Sequence, residues 1–293
     1  MEYAKTAVVA VAAAFGRDVD AGLDAIERTV VEARAQGARL VVFPECALGG
    51  YMREPMPGER GPEVPAALDP EGPEIARLIR IAGDTVICAG YTEAGADRPF
   101  SSAVCVSGDG VLGRHRKVHL PPGERFAYAA GDRFEAFDTP AGRMGMLVCY
   151  DKLFPEAARA LALDGAHTIA SLAAWPVCRQ RPARQVAHDR QTRHFNASDA
   201  ARAVENQVVW VSANQTGTRG PLRFLGHAKV VDPDGVVLAR TGSRAGLAVA
   251  EVDAEAAVRD SRLGIDHLAD RRPGAYGGPA RTAAAVAGAL EHV

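Results

Sequence analysis

Short apolar runs and amphipathic segments alternate along most of this chain. Residues 6–15 form a near-continuous run of Ala and Val, the pattern of a strand buried on both faces. Leu23, Ile26, Val30 and Ala33 then recur at helical spacing, with Asp18 or Asp20 placed to cap the helix and Gly37 to stop it. Residues 38–43 predict a second buried strand that ends at Pro44-Glu45-Cys46. Ile75, Leu78, Ile79 and Ala82 mark another helix, and residues 85–91 another strand. This βαβ alternation predicts an α/β fold.

Residues 102–106 and 111–115, joined by Gly108-Asp109-Gly110, predict a hairpin whose second strand runs through Lys117 toward Pro121-Pro122. An apolar run from Met144 stops abruptly at Cys149, and a helix is predicted over 155–163 with Gly165 as its stop. Strands are expected at 167–172, 208–212 and 247–252, helices at 188–206 and 254–262, and a hairpin with a Pro-Asp-Gly turn at 229–238. Residues 51–73 carry Pro, Gly and Glu without a period, which suits a long loop near a cleft. The end of the chain from Pro279 reads as a loose helix or a disordered segment. There is no repeat at solenoid or propeller spacing.

Composition narrows the function classes. A 293-residue chain with 47% hydrophobic and 24% charged residues is long enough for a large core, and a net charge of -2 gives no electrostatic reason to expect nucleic acid or an anionic membrane as partner. The five cysteines are scattered and lack CxxC spacing, so a reduced, cytoplasmic protein is expected, with no metal and no cofactor. Lys5 and the apolar run behind it mimic a short signal peptide, but Glu2 and the immediately following helical pattern favour a buried first strand. No apolar run reaches the ~18 residues of a membrane span. His115 and His119 have the spacing of a helical zinc pair, yet they fall in a strand pattern with no glutamate beside the first. The arginine-rich span 179–193 reads as a solvated helix face or a subunit contact.

Three predicted strand ends present Glu45, Lys117 and Cys149 from separate parts of the chain. An acid, an amine and a thiol form a complete set for acyl transfer: a thiolate attacks, a carboxylate carries its proton to the leaving group, and an ammonium stabilises the oxyanion.

The stretches Phe43-Pro44-Glu45, Arg116-Lys117-Val118-His119-Leu120 and Cys149-Tyr150-Asp151 with Phe154-Pro155-Glu156 resemble the carbon–nitrogen hydrolase, or nitrilase, superfamily. Arg202-Ala203-Val204-Glu205-Asn206, Ala213-Asn214-Gln215-Thr216-Gly217 and Asp270-Arg271-Arg272-Pro273 extend the likeness over nearly the whole chain. The resemblance implies a four-layer α-β-β-α sandwich, a Glu45-Lys117-Cys149 triad, and Glu124 as a second glutamate that positions substrate. It also implies a hydrolase domain over 1–265 and a tail over 266–293 that contributes to a homodimer or higher homo-oligomer.

The Cys-Tyr-Asp sequence is similar to the amidase and carbamoylase branches, whereas nitrilases proper follow their cysteine with Trp-Glu. A small amide or N-carbamoyl compound is therefore the expected substrate, with a nitrile as the alternative and an inactive binding protein of the same fold as a remote one. Lys152 lies where some carbamoylases place an arginine that grips a substrate carboxylate, though at an exposed turn a solvated side chain is the favoured reading. Tyr150 and Trp175 are the other expected substrate contacts. Cys46 follows Glu45 without a matching turn and, like Cys88, Cys105 and Cys178, reads as packing.

Overall fold

The computed structural model describes residues 5–52 and 63–276. Its first half holds β1 (Thr6–Ala13), α1 (Val19–Arg34), β2 (Ala38–Val42), α2 (Pro73–Ala82), β3 (Val86–Glu93), β4 (Phe100–Ser107) and β5 (Gly110–Arg116). Then follow β6 (Met144–Val148), α3 (Pro155–Leu163), β7 (Thr168–Ala173), α4 (Arg190–Asn206) and β8 (Val209–Gln215). A short pair, β9 (Thr218–Arg219) and β10 (Leu222–Arg223), precedes β11 (Lys229–Val231), β12 (Val237–Arg240), β13 (Gly246–Val252), α5 (Ala254–Ser261) and α6 (Pro273–Tyr276).

Hydrogen bonding arranges the long strands as two sheets that touch at one corner. One runs β13-β1-β2-β3-β4-β5 and the other β6-β7-β8-β11-β12. β1 meets β8 only where Ala12 and Ala13 pair with Asn214 and Gln215. Successive side chains of a strand point to opposite faces. In β1, Val8, Ala10 and Ala12 enter the core between the sheets, while Val9 and Val11 pack beneath Leu23 and Ile26 of α1 and Leu78 of α2. In β8, Val209, Val211 and Ala213 face that same inner core, and Trp210 faces outward with Leu161 of α3 and Ala203 of α4. The layers are therefore α-β-β-α. Because both faces of these strands are covered, their central residues are mostly apolar and show no alternation of apolar and polar positions.

Local chemistry fixes two boundaries that the pattern left open or misplaced. Asp18, not Asp20, caps α1, its carboxylate accepting from Ala21 N at 3.0 Å. The helix expected from 188 begins at Arg190, because the Asp189 side chain accepts from Gln191 N and closes the first turn there, while Val186–His188 forms a separate 3-10 turn. Residues 53–62 of the expected loop and the chain end from Pro279 lie outside the described residues. Among the described residues no helix is long and apolar enough to cross a membrane.

The topology also decides where chemistry can occur. β1, β2 and β3 are parallel, as are β6, β7 and β8, and two antiparallel steps return β5 to the direction of β3. The carboxyl ends of β2, β5, β6, β7 and β8 thus open on one edge, where α/β sheets place their ligand sites. That edge is tightly built. A Cβ on Gly90 of β3 would lie 2.5 Å from Cys46 N and 2.7 Å from Glu45 Cα, both backbone atoms. Gly90→Ala should therefore cost about 1–3 kcal/mol, read as a lower urea midpoint. An unchanged midpoint would show that the turn after β2 is free to move.

Candidate active site

Glu45 follows β2 and has no exposed surface. Its Oε1 accepts from Lys117 Nζ at 2.8 Å and from Ser101 Oγ at 3.2 Å, and its Oε2 accepts from Ala174 N at 2.9 Å. Lys117, the first residue beyond β5, is equally buried, and its Nζ also lies 2.8 Å from Glu124. Burial alone would lower the lysine pKa, but Glu124 and Glu45 outweigh it and hold Lys117 protonated. Glu124 opens a 3-10 turn and accepts from Tyr51 Oη at 2.6 Å. Burial raises its pKa first, and Glu45 adds to that, while Lys117 and the Tyr51 hydrogen bond oppose. Two carboxylates and one ammonium thus share a space without water.

Cys149 closes β6 in a left-handed conformation, φ 49°, and begins the 3-10 turn Cys149–Leu153. A non-glycine residue there costs about 1–2 kcal/mol, so the surroundings must hold it. They do so from two sides. The Asp151 carboxylate accepts from Val148 N at 3.2 Å and His119 N at 2.8 Å, and pairs with His115 Nε2 and His119 Nδ1 at 2.9 Å each. From α4, Arg202 donates to the carbonyls of Lys152 and Leu153 at 2.9 and 3.2 Å. The Cys149 thiol is pushed well up, by burial first and by Glu45 second, whereas Lys117 and the Ala174 N–H pull it down. The ammonium favours the thiolate, as its charge requires, but does not prevail. The resting group is a thiol that needs a base.

The left-handed turn of Cys149 has a counterpart that the sequence did not reveal, because Cys46 also has φ 55°. Its thiol nevertheless packs among Tyr51, Met52 and Tyr128.

A cleft of 410 Å³ opens over these groups, lined among others by Tyr51, Glu124, Cys149, Tyr150 and Trp175. Trp175 is held by its backbone N donating to Asn214 Oδ1 at 2.8 Å and by its Nε1 donating to Gln191 at 2.9 Å. Lys152 departs from both of its expected readings. It is neither solvated nor in the cleft: it has no exposed surface, and its Nζ is spent on Asp199 at 2.8 Å, 3.1 Å above the ring of Phe195. Burial pushes it down to about 8 against the pull of Asp199. An ammonium committed to a carboxylate below the floor cannot grip a substrate from above.

A carbon–nitrogen hydrolase profile matches residues 5–260. The chain belongs to the carbon–nitrogen hydrolase family. Its relatives include a nitrilase of Pyrococcus abyssi, 35% identical over 85% of this chain and 90% of that one. An (R)-stereoselective amidase of a Pseudomonas species is 31% identical over 88% of both chains. Among solved structures, an amidase from a Nesterenkonia species superposes with a TM-score of 0.72 at 25% identity, covering 92% of this chain and 98% of that one. That structure, a Glu-to-Gln variant, carries acrylamide joined to its active-site cysteine by Michael addition.

In this carbon–nitrogen hydrolase the family stretches around Arg202 and Asn214-Gln215 hold backbone and do not line the cleft. Gln215 donates to the Glu45 carbonyl at 3.0 Å and accepts from Phe15 N at 3.0 Å, and Asn214 ties Trp175 to the Gly226 carbonyl. Tyr51 and Asp151 were missed as contributors. Tyr51 sits in a loop without a period, and the only signal for Asp151 was the pair of histidines dismissed as a zinc site. Burial raises the Asp151 pKa, but hydrogen bonds from His115 and His119 outweigh it and leave the carboxyl well below the usual range. Its stabilising contribution is therefore present above about pH 4 and lost as the pH falls further. Asp151→Asn should cost about 1–3 kcal/mol at pH 7. In thermal unfolding the gap to the wild type should stay level from pH 8 to 5 and close below pH ~4; a gap that persists in acid would remove the ionised carboxylate from the account.

Proposed function

We propose that this enzyme hydrolyses small-molecule amides through a thioester on Cys149. The observation that carries the reading is that Glu45, hydrogen-bonded to Lys117 and to the Ala174 N–H, lies close enough to act electrostatically on Cys149, which lines the cleft together with Glu124 and Ala174. Cys149 Sγ attacks the carbonyl carbon while Glu45 accepts the thiol proton. Lys117 Nζ and the Tyr150 N–H stabilise the oxyanion. As the C–N bond breaks, Glu45 gives its proton to the departing nitrogen and ammonia leaves. Glu45 then takes a proton from water, which attacks the thioester, and the thiol is restored with release of a carboxylic acid. Glu124, fixed by Tyr51 and Lys117, orients the substrate amide. The Cys149-Tyr150-Asp151 sequence favours amides, or N-carbamoyl compounds yielding an amine and CO2, over nitriles.

The hydrolase domain spans 1–265, and the tail from 266 helps form a homodimer. Exposed apolar side chains support this, with Leu263 at 74%, Ile265 at 63% and Tyr276 at 65%. Five free, buried cysteines support a reducing, cytoplasmic setting.

Cys149→Ala should abolish ammonia release from amides with the unfolding curve unchanged; retained turnover would sink the reading. Glu45→Gln should lower kcat by about 100- to 10,000-fold. A panel of aliphatic amides, ω-amides, N-carbamoyl compounds and nitriles, scored by ammonia, should give its highest kcat/KM on an amide. Preference for a nitrile would overturn the substrate assignment while leaving the nucleophile in place.

A further inference from the structure

Beneath the nucleophile turn lies a second group of buried charges that the reaction above leaves unused. Asp199 of α4 accepts at Oδ1 from Lys152 Nζ at 2.8 Å and from Trp210 Nε1 at 2.9 Å, and at Oδ2 from Lys229 Nζ of β11. Both ammonium groups face the ring of Phe195, at 3.1 and 4.2 Å, and Lys152 lies 5.1 Å from the ring of Trp175. Two lysines against one carboxylate leave a net positive charge, in a place where Lys152 and Asp199 have no exposed surface and Lys229 has 3%. The Glu45, Lys117 and Glu124 set is its inverse, one ammonium against two carboxylates. Such groups interact strongly because no water screens them.

Lys152 is also on the same 3-10 turn as Cys149, three positions along, where side chains eclipse. The two are near enough that negative charge on Cys149 raises the lysine pKa. When Glu45 takes the thiol proton, the total charge of the site does not change, but its negative end moves onto sulfur and so toward the lysines.

We propose that Lys152 is a positioning residue for Cys149: anchored on Asp199, it keeps a buried positive charge behind the nucleophile that offsets the negative charge arriving on sulfur. This rests on Cys149 being the nucleophile. No other lysine stands on the nucleophile turn, and Lys117 is already shared by two carboxylates.

The test is the pH dependence of Cys149 alkylation by iodoacetamide in the full-length protein, followed by peptide mapping, together with kcat, KM and thermal unfolding. Lys152→Met keeps the side-chain length and leaves Asp199 bonded to Lys229 and Trp210. It should slow alkylation at pH 7, where Lys152 is still charged, by about tenfold, move the alkylation midpoint up by less than one unit because Lys152 itself titrates at about 8, and lower kcat more than it changes KM. Lys229→Met removes the same charge without touching the nucleophile turn, and should shift the midpoint in the same direction by less. Should Lys152→Met not fold, Lys229→Met alone carries the charge test. Glu45, Lys117, Glu124 and Asp151 with His115 and His119 also shape the profile, but they are common to all variants. Alkylation profiles that superimpose on the wild type, with only a lower melting temperature, would overturn the proposal. So would a midpoint that moves in Lys152→Met but not in Lys229→Met, since that pattern reports a lost tether and not a lost charge. Failure of iodoacetamide to label Cys149 in the wild type would instead count against the nucleophile assignment itself.

Discussion

A single ammonium group, Lys117 Nζ, sits 2.8 Å from both Glu45 and Glu124 with no water-accessible surface. An unpaired charge buried there would cost several kcal/mol of desolvation, so the ammonium and the carboxylates belong together. The lysine in turn stays protonated only because the carboxylates face it. This mutual dependence explains why the carboxyl ends of β2 and β5 and the 3-10 turn at Glu124 must converge. Buried ion pairs are weak contributors to net stability. Their retention at the edge of the sandwich, rather than an apolar plug, is the mark of chemistry.

The rest of that edge is held by groups outside the lining of the cleft. Gln215 and Asn214, at the end of β8, bond to the backbone of the Glu45 turn and of the Trp175 segment. Arg202 of α4 and Asp151 of the turn itself hold the carbonyls and N–H groups around Cys149. Five chain segments that are remote in sequence therefore share one rigid constellation. Glycine at 90 lets the β3 backbone approach the Glu45 turn to within contact distance.

Much of this was legible from the residue pattern because function and fold punctuate the chain at the same places. Glu45 and Cys149 each follow an apolar run and Lys117 ends the second strand of a hairpin pattern, so a reading of strand boundaries also finds the acid, the amine and the thiol. The βαβ alternation was readable from the pattern, whereas the four layers came only from the family resemblance, because a buried strand looks the same whichever layer covers it. What escaped depends on partners distant in sequence. Nothing near Lys152 announces that Asp199, on a helix with only a weak apolar stripe, will draw it beneath the floor. Tyr51 was hidden by its aperiodic loop. The spacing of the two histidines flanking Lys117 suits a zinc pair, but their partner is the carboxylate two residues after Cys149.

The left-handed backbone at Cys149 carries a consequence for how this protein can change. Glycine is the residue that such a backbone conformation prefers, by about 1 kcal/mol, so this corner carries backbone strain for the sake of a side chain. Selection for stability and selection for turnover pull this position in opposite directions. The ties from Asp151 and Arg202 are what keep a thiol, and not a glycine, at that corner.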